Sequence, residues 1–226
     1  MTSKPRMQQS YTTRDSPWKP EWFSNIPVTG KYQIPVLYPY TFTTQPTGVN
    51  SLHRQPPAEA RAMRVIHGFE DDKALMPIFA SPKNYILQYS AYSATIAPDF
   101  SIRTEMPLQD RIRSVWNSRA VGAYFQTRGL NVLPVVRWAE MSDFDFVLDG
   151  LLTGGAIAIS SQSVVRDKEL QKTFEEGCEV ITSTLRPQQI IFYGNMTGTV
   201  GTTLIQSSLV WQFNTDIARV HQERNA

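Results

Sequence analysis

The sequence predicts an α/β protein built from repeated β/α units around a mostly parallel sheet of about five strands, either half-barrel-like or open. Short apolar runs recur along the chain, segments of about helix length separate them, and a polar residue lies at the end of each run or within two positions after it. Continuous apolar runs are typical of parallel strands, because helices cover both faces of such a sheet. The five runs are Met63–Phe69, Thr95–Phe100, Val132–Trp138, Ala156–Ser160 and Gln189–Tyr193.

The chain before the first run divides into three parts. Residues 1–25 are predicted to form an extended, flexible arm that is basic and contains aromatic side chains. Residues 26–226 are predicted to form a single α/β domain, and its first two segments also precede the first run. Ile26–Pro39 alternates apolar and polar residues, but its prolines restrict it to the edge of a sheet. Thr41–Pro57 is predicted to be a long polar loop.

Helices are predicted between the strands. Lys73–Tyr92 is expected to be helical but broken by its two prolines. A long helix follows Pro107, which suits a first-turn position, and Gly129 ends it. A short helix is expected to begin at Ser142 as its N-cap.

The last third of the chain continues the alternation. Asp167–Leu185 predicts a helix that Pro187 ends. Gly194–Thr203 is rich in glycine and threonine, and its first part, Gly194–Gly201, is predicted to be a flexible loop. The spacing of Val210, Phe213, Ile217 and Val220 predicts a final helix. Pro134 lies inside the third apolar run, so we expect a bulge there or pairing that begins at Val135.

Several chemistries lack the residues they need. The chain has one cysteine, Cys178, and three scattered histidines, which excludes an internal disulfide and a structural zinc site. No histidine has a spacing that recommends it as the base for a serine nucleophile. Gly194–Gly201 lacks the Gly-Lys-Ser/Thr ending of a P-loop. The sequence therefore predicts no metal and identifies no cofactor.

The expected setting is the cytoplasm. The first twenty residues lack the apolar stretch of a secretory signal. Residues 187–215 carry no charge, but their polar content argues against a membrane span. The single cysteine fits a reducing compartment.

Polar and aromatic residues at the strand ends predict where a site lies. The carboxyl ends of parallel strands gather at one rim, which is where α/β proteins bind ligands. The acidic run Glu70–Asp72 follows the first strand, but capping of the next helix explains Asp71 or Asp72 equally well. Trp138 is either an aromatic platform or a core residue. The candidate pocket residues are Asp71, Asp72, Asp99, Trp138, Ser160, Tyr193 and Asn195.

The arm is a candidate for contact with nucleic acid. Residues 1–64 hold eight Lys or Arg against three Asp or Glu, whereas the rest of the chain is slightly acidic. Basic segments with aromatic residues are typical of nucleic-acid contacts, although a solvated arm is the simpler interpretation. The candidate contacts are Lys4, Arg6, Arg14, Trp18, Lys19 and Trp22. Arg111, Arg113, Arg119 and Arg128 on or beside the long helix are a weaker candidate for a phosphate patch.

Several segments in order resemble the domain of unknown function 4417 family, which occurs in phages, plasmids and other mobile elements of bacteria. They are FEDD (Phe69–Asp72), APDFS (Ala97–Ser101), Met106-Pro107, VGAYFQTRG (Val121–Gly129), VLPVVRW (Val132–Trp138), Asp149-Gly150, AIAISS (Ala156–Ser161) and IIFYG (Ile190–Gly194). The resemblance implies a mobile-element origin, a bacterial cytoplasmic setting and a β/α architecture, and it carries no catalytic role. After Asp72 the chain continues KALMPIF, where family members tend to have aromatic residues.

Three functions follow from these observations. The first is a nucleic-acid-associated accessory protein of a phage or plasmid, in replication, transfer or host takeover. The second is an enzyme with a small-molecule or nucleotide pocket at the strand ends. The third is a binder or inhibitor of a host protein through exposed aromatic residues of the arm. The sequence fixes neither the partner nor the oligomeric state.

Overall fold

The computed structural model describes residues 21–23, 25–162, 168–196, 198–216 and 218–219. The strands are β1 (Val28–Thr29), β2 (Ile34–Pro35), β3 (Val49–Ser51), β4 (Val65–His67), β5 (Ala94–Ile96), β6 (Val132–Leu133), β7 (Ala156–Ser160), β8 (Gln189–Tyr193) and β9 (Leu209–Phe213). The α-helices are α1 (Asp72–Ala80), α2 (Ile86–Tyr89), α3 (Leu108–Thr127), α4 (Lys168–Leu185) and α5 (Val200–Ser207).

Seven of the strands are parallel and follow one another in sequence order. Strands β3 to β6 form one hydrogen-bonded sheet, and β7 to β9 form another. A parallel bridge between Val135 and Ala158 joins the two. The predicted α/β class, with repeated β/α units and a mostly parallel sheet, is therefore confirmed, and all five predicted strands are present.

The seven strands curve around a common interior. One buried cluster contains side chains from every strand between β3 and β9, from Val49 at the start to Trp211 at the end. Strands near the two ends of the series approach each other across this interior, because the ring of His67 on β4 lies 4.7 Å from that of Tyr193 on β8. The half-barrel form of the prediction describes this arrangement better than the open sheet does.

Helices cover the outer face of the strands. The alternate side chains Ile157, Ile159, Ile190 and Phe192 pack with the buried face of α4 in a second cluster. A third cluster joins Ile66 to buried residues of α1 and α3. Strands that are buried on both faces explain why the sequence shows continuous apolar runs rather than alternation.

The segment before the first predicted strand differs from the prediction. Thr41–Pro57 was expected to be loop, but it contains β3, which pairs in parallel with β4. Its central Asn50 is buried and accepts a hydrogen bond from Arg64 Nε, so a polar residue occupies a strand position. Ile26–Pro39 forms the antiparallel pair β1 and β2, separate from the parallel sheets.

The C-terminal prediction was wrong in two places. The expected flexible loop, Gly194–Gly201, contains the start of α5, and the expected helix around Val210 is β9. Strand β9 pairs with β8 at five positions along one of its edges, and it buries Trp211. Val210 and Phe213 are three residues apart and therefore lie on opposite faces of β9, where each is partly buried, so apolar residues at a helical spacing also occur in this strand. Ile217 and Val220 lie outside the described residues.

Prolines set several boundaries. Pro134 is followed by a change of partner, since Val132–Leu133 pairs with β5 whereas Val135 bridges to β7. Pro107 is the N-cap of α3 rather than a first-turn residue. The short helix expected from Ser142 is a 3-10 turn, Met141–Asp145, with Glu140 as N-cap.

In the described part of the chain no helix combines the length and the apolar character that a membrane span requires.

Candidate functional site

A cavity of about 510 Å³ lies at the carboxyl ends of the parallel strands. Small-molecule sites commonly have volumes of roughly 300–1,000 Å³. Residues at or after the end of every strand from β4 to β9 line it: Phe69, Asp99, Trp138, Gln162, Tyr193 and Asp216. Side chains that are distant in sequence therefore meet in one place.

Four of the seven candidate pocket residues line this cavity, namely Asp71, Asp99, Trp138 and Tyr193. The remaining three, Asp72, Ser160 and Asn195, do not. Asp72 Oδ1 instead accepts a hydrogen bond from the Ser101 amide at 2.9 Å. Ser160 Oγ accepts one from the Gln162 amide at 3.2 Å. These two side chains hold the loops after β5 and β7.

Asp99 is buried in an ion pair with Arg137. Arg137 Nε and Nη2 donate to the two carboxylate oxygens of Asp99 at 2.7 Å and 2.5 Å. Burial by itself lowers the pKa of Arg137, but the adjacent Asp99 outweighs it and raises that pKa above its ordinary value. The pair neutralises both charges, so Asp99 is a structural anchor of the cavity wall rather than a free carboxylate.

Arg119 lies beneath this pair and is almost completely buried. Its guanidinium donates to the backbone oxygens of Val135 at 2.8 Å and Val147 at 3.0 Å. Burial lowers the pKa of Arg119 to about 9, and the nearby Asp99 partly opposes this effect. Arg111 is also buried and donates to Asp143 at 2.7 Å. The proposed phosphate patch on this helix is therefore wrong for these two arginines.

Two stacked aromatic pairs form walls of the cavity. Phe69 and Tyr193 stack with ring centroids 4.8 Å apart. Trp138 and Phe174 stack at 5.1 Å. The Trp138 Nε1–H donates to the Thr173 carbonyl at 3.1 Å, so the indole offers the cavity an apolar surface.

His67 and Asp216 form a buried contact that the sequence interpretation missed. His67 Nδ1 accepts a hydrogen bond from the Phe69 amide at 3.1 Å, and its Nε2 lies 3.9 Å from Asp216 Oδ1. Asp216 also pairs with Arg219. Burial by itself raises the pKa of Asp216, but His67 and Arg219 outweigh it and lower the pKa well below its usual range.

The position of His67 in β4 was enough to predict that its side chain points inward. Val65 is an interior residue, and side chains two apart in a strand share a face, so His67 had to point inward as well. No such signal existed for Asp216, because it depends on β9, which was assigned to a helix.

Glu70 supplies a carboxylate without a partner. It lines the cavity, and its Oε1 atom is buried with no hydrogen-bond donor among the described residues. An unpaired buried oxygen of this kind is costly and calls for an explanation.

Within the described ranges no group of three or more His, Cys, Asp and Glu residues could hold a metal ion. Burial raises the pKa of Cys178 to about 12, which keeps it a thiol.

Among the candidate nucleic-acid contacts, Trp22 packs edge-on against Phe79 and Tyr124, at 5.5 Å and 5.4 Å. The other candidate contacts, Lys4, Arg6, Arg14, Trp18 and Lys19, lie outside the described residues.

This geometry defines a curved parallel β/α protein whose principal described cavity lies at the carboxyl ends of the strands. The family model for the domain of unknown function DUF4417 matches residues 26–213. The chain belongs to that family, and the resemblance predicted from the sequence is confirmed.

Its relatives include two phage proteins. The Gene 1 protein of Mycobacterium phage D29 is 31% identical over 171 residues, which are 76% of this chain and 63% of the relative. The Gene 1 protein of Mycobacterium phage L5 is 32% identical over 165 residues, 73% of this chain and 72% of the relative. The chain thus spans just under two thirds of the D29 protein. No solved structure matches it significantly.

Proposed function

We propose that this phage-type protein binds a small organic molecule in the cavity at the carboxyl ends of its strands, as the enzyme hypothesis requires. The observation that carries the proposal is the convergence on one cavity of residues from the ends of six successive strands. In parallel β/α folds this rim is where ligands and substrates bind. The two aromatic walls supply apolar contact area for the ligand, and the polar rim supplies its orientation.

The phage relatives support the expected setting, the cytoplasm of an infected bacterium. The charges in the cavity favour a ligand other than a polyanion. Five carboxylates line it against two guanidinium groups, so a phosphate backbone would be repelled. The small-molecule alternative therefore ranks above nucleic acid for this site.

The test is a fragment screen read by fluorine NMR of protein labelled with 5-fluorotryptophan. The chain has five tryptophans, and Trp138→Phe assigns the signal of Trp138. We expect small, flat, polar fragments to shift the Trp138 signal and leave the Trp22 signal unchanged. Trp22 is the internal control because it packs against Phe79 and Tyr124 and lies outside the cavity lining.

A matched pair of variants locates the binding. Thr173 lines the cavity, whereas its neighbour Lys172 on α4 is exposed. We expect Thr173→Phe to fill the cavity and weaken fragment binding by about tenfold or more, since each 1.4 kcal/mol lost is tenfold. Lys172→Phe should leave binding unchanged. If no fragment shifts the Trp138 signal, or if both variants bind equally well, the proposal is wrong.

Nucleic-acid contact by the arm is a second candidate function, favoured by the basic surplus of residues 1–64. We expect the full chain to retard DNA in a gel at low salt, where phosphate contacts are strongest. Removal of residues 1–20 should abolish the retardation, and Thr173→Phe should not affect it. Retardation that survives the deletion would remove the arm from this hypothesis, and its absence at low salt would end the hypothesis.

A further inference from the structure

We infer that the ligand of this cavity is a flat organic cation whose positive group pairs with Glu70. The inference rests on the proposed function and adds the chemical class of the ligand. The charged side chains around the cavity differ in whether a partner of opposite charge already neutralises them.

Most of the lining carboxylates already have a basic partner. Asp99 is paired with Arg137, and Asp216 with Arg219. Glu105 lies 3.9 Å from Arg103 in an exposed pair. Among the described residues, the salt bridges leave Glu70 and Asp71 without such a partner, and both line the cavity. The uncompensated charge of the cavity is therefore negative and lies in the segment after β4.

Glu70 differs from Asp71 in its surroundings. Asp71 is exposed to solvent, where water screens its charge. Glu70 Oε1 is buried and accepts no hydrogen bond in the described structure. The Glu70 side chain as a whole is only partly buried and lines the cavity, so a bound ammonium, amidinium or guanidinium group there would pair with its carboxylate and compensate the charge. A bound carboxylate or phosphate would add a second negative charge beside it, which is unfavourable.

The aromatic walls indicate that the cation is flat. Phe69, the neighbour of Glu70, presents a ring stacked on Tyr193, and Trp138 with Phe174 forms the other stack. Aromatic faces attract cations through their quadrupole. A flat ligand ring can stack on such a face and is rigid, so it loses little conformational entropy on binding. The Trp138 N–H is already used by Thr173, so this wall favours apolar or cationic surface over a hydrogen-bond acceptor.

Three probes of almost the same shape test the charge of the ligand: benzamidine, which is cationic, benzamide, which is neutral, and benzoate, which is anionic. Binding is followed through the fluorine signal of Trp138. We expect benzamidine to bind about tenfold more tightly than benzamide, with benzoate weakest, because a charge-assisted hydrogen bond is roughly twice as strong as a neutral one.

Two Glu→Gln variants identify the carboxylate. Glu70→Gln should remove the preference for benzamidine while leaving benzamide binding within about twofold, since the amide keeps the shape and loses the charge. Glu105→Gln is the matched control, because Glu105 lines the same cavity but is exposed. Its benzamidine affinity should stay within about twofold of wild type, because solvent screens exposed charges.

The outcomes separate this inference from the proposed function. Equal binding of the three probes, or a benzamidine preference that survives Glu70→Gln, overturns the cation assignment and leaves the cavity a ligand site. Failure of all three probes while other fragments shift the Trp138 signal also overturns only the assignment. Failure of every fragment overturns the proposed function and this inference together.

Discussion

Replacement of Arg119 by methionine is expected to lower the free energy of unfolding by about 2–5 kcal/mol, because the two buried carbonyl oxygens that it serves, of Val135 and Val147, lose their donor. Methionine preserves most of the side-chain volume, so the loss reports hydrogen bonding and charge rather than a cavity. The free energy of unfolding of Arg119→Lys is expected to lie between those of wild type and Arg119→Met, since a single ammonium group lacks the two separate guanidinium nitrogens that reach both oxygens. Urea unfolding followed by circular dichroism measures the loss.

Arg113→Met is the matched control. Arg113 lies on the same helix but is exposed, so its replacement should change stability by no more than about 0.5 kcal/mol. Equal stability of Arg119→Met and wild type would mean that burying the guanidinium costs as much as its hydrogen bonds contribute.

Apolar continuity made much of the fold predictable. Ala156–Ser160 and Gln189–Tyr193 have the predicted bounds, because each run is buried on both faces and ends where the polar rim begins. Strand β3 was missed because the cost of burying Asn50 is offset by a hydrogen bond from Arg64, fourteen residues later. Such compensation is invisible in a local pattern.

The candidate site was predictable only in position. The rule that parallel strands gather their carboxyl ends is enough to predict that Asp99 and Trp138 lie near each other. It could not show that Arg137 neutralises Asp99, since the two lie 38 residues apart. It also could not distinguish Glu70 from Asp71, because the direction of each side chain depends on how the chain leaves β4. The charges that matter for a ligand are set by these pairings.

Gly177→Ala is expected to disrupt the cavity wall, although alanine normally favours a helix over glycine. Gly177 is buried in the middle of α4, and a Cβ atom there would overlap the indole ring of Trp138. Trp138 would have to leave its stack on Phe174 and its hydrogen bond to Thr173. Overpacking of this kind costs about 1–3 kcal/mol, which exceeds the gain of roughly 0.5–1 kcal/mol from helix propensity. Fragment binding should weaken with it.

Gly201→Ala separates the clash from the propensity. Gly201 lies in α5, and its Cβ atom would meet only Met196 Cβ at 3.9 Å, an ordinary contact. We expect this variant to be stabilised by up to about 1 kcal/mol and to bind fragments as wild type does. Gly177→Ala should shift the fluorine signal of Trp138, whereas Gly201→Ala should not. Stabilisation of both variants, with the Trp138 signal unchanged, would show that α4 and the indole can move apart without cost, and that the Trp138 wall is not rigid enough to select a flat ligand.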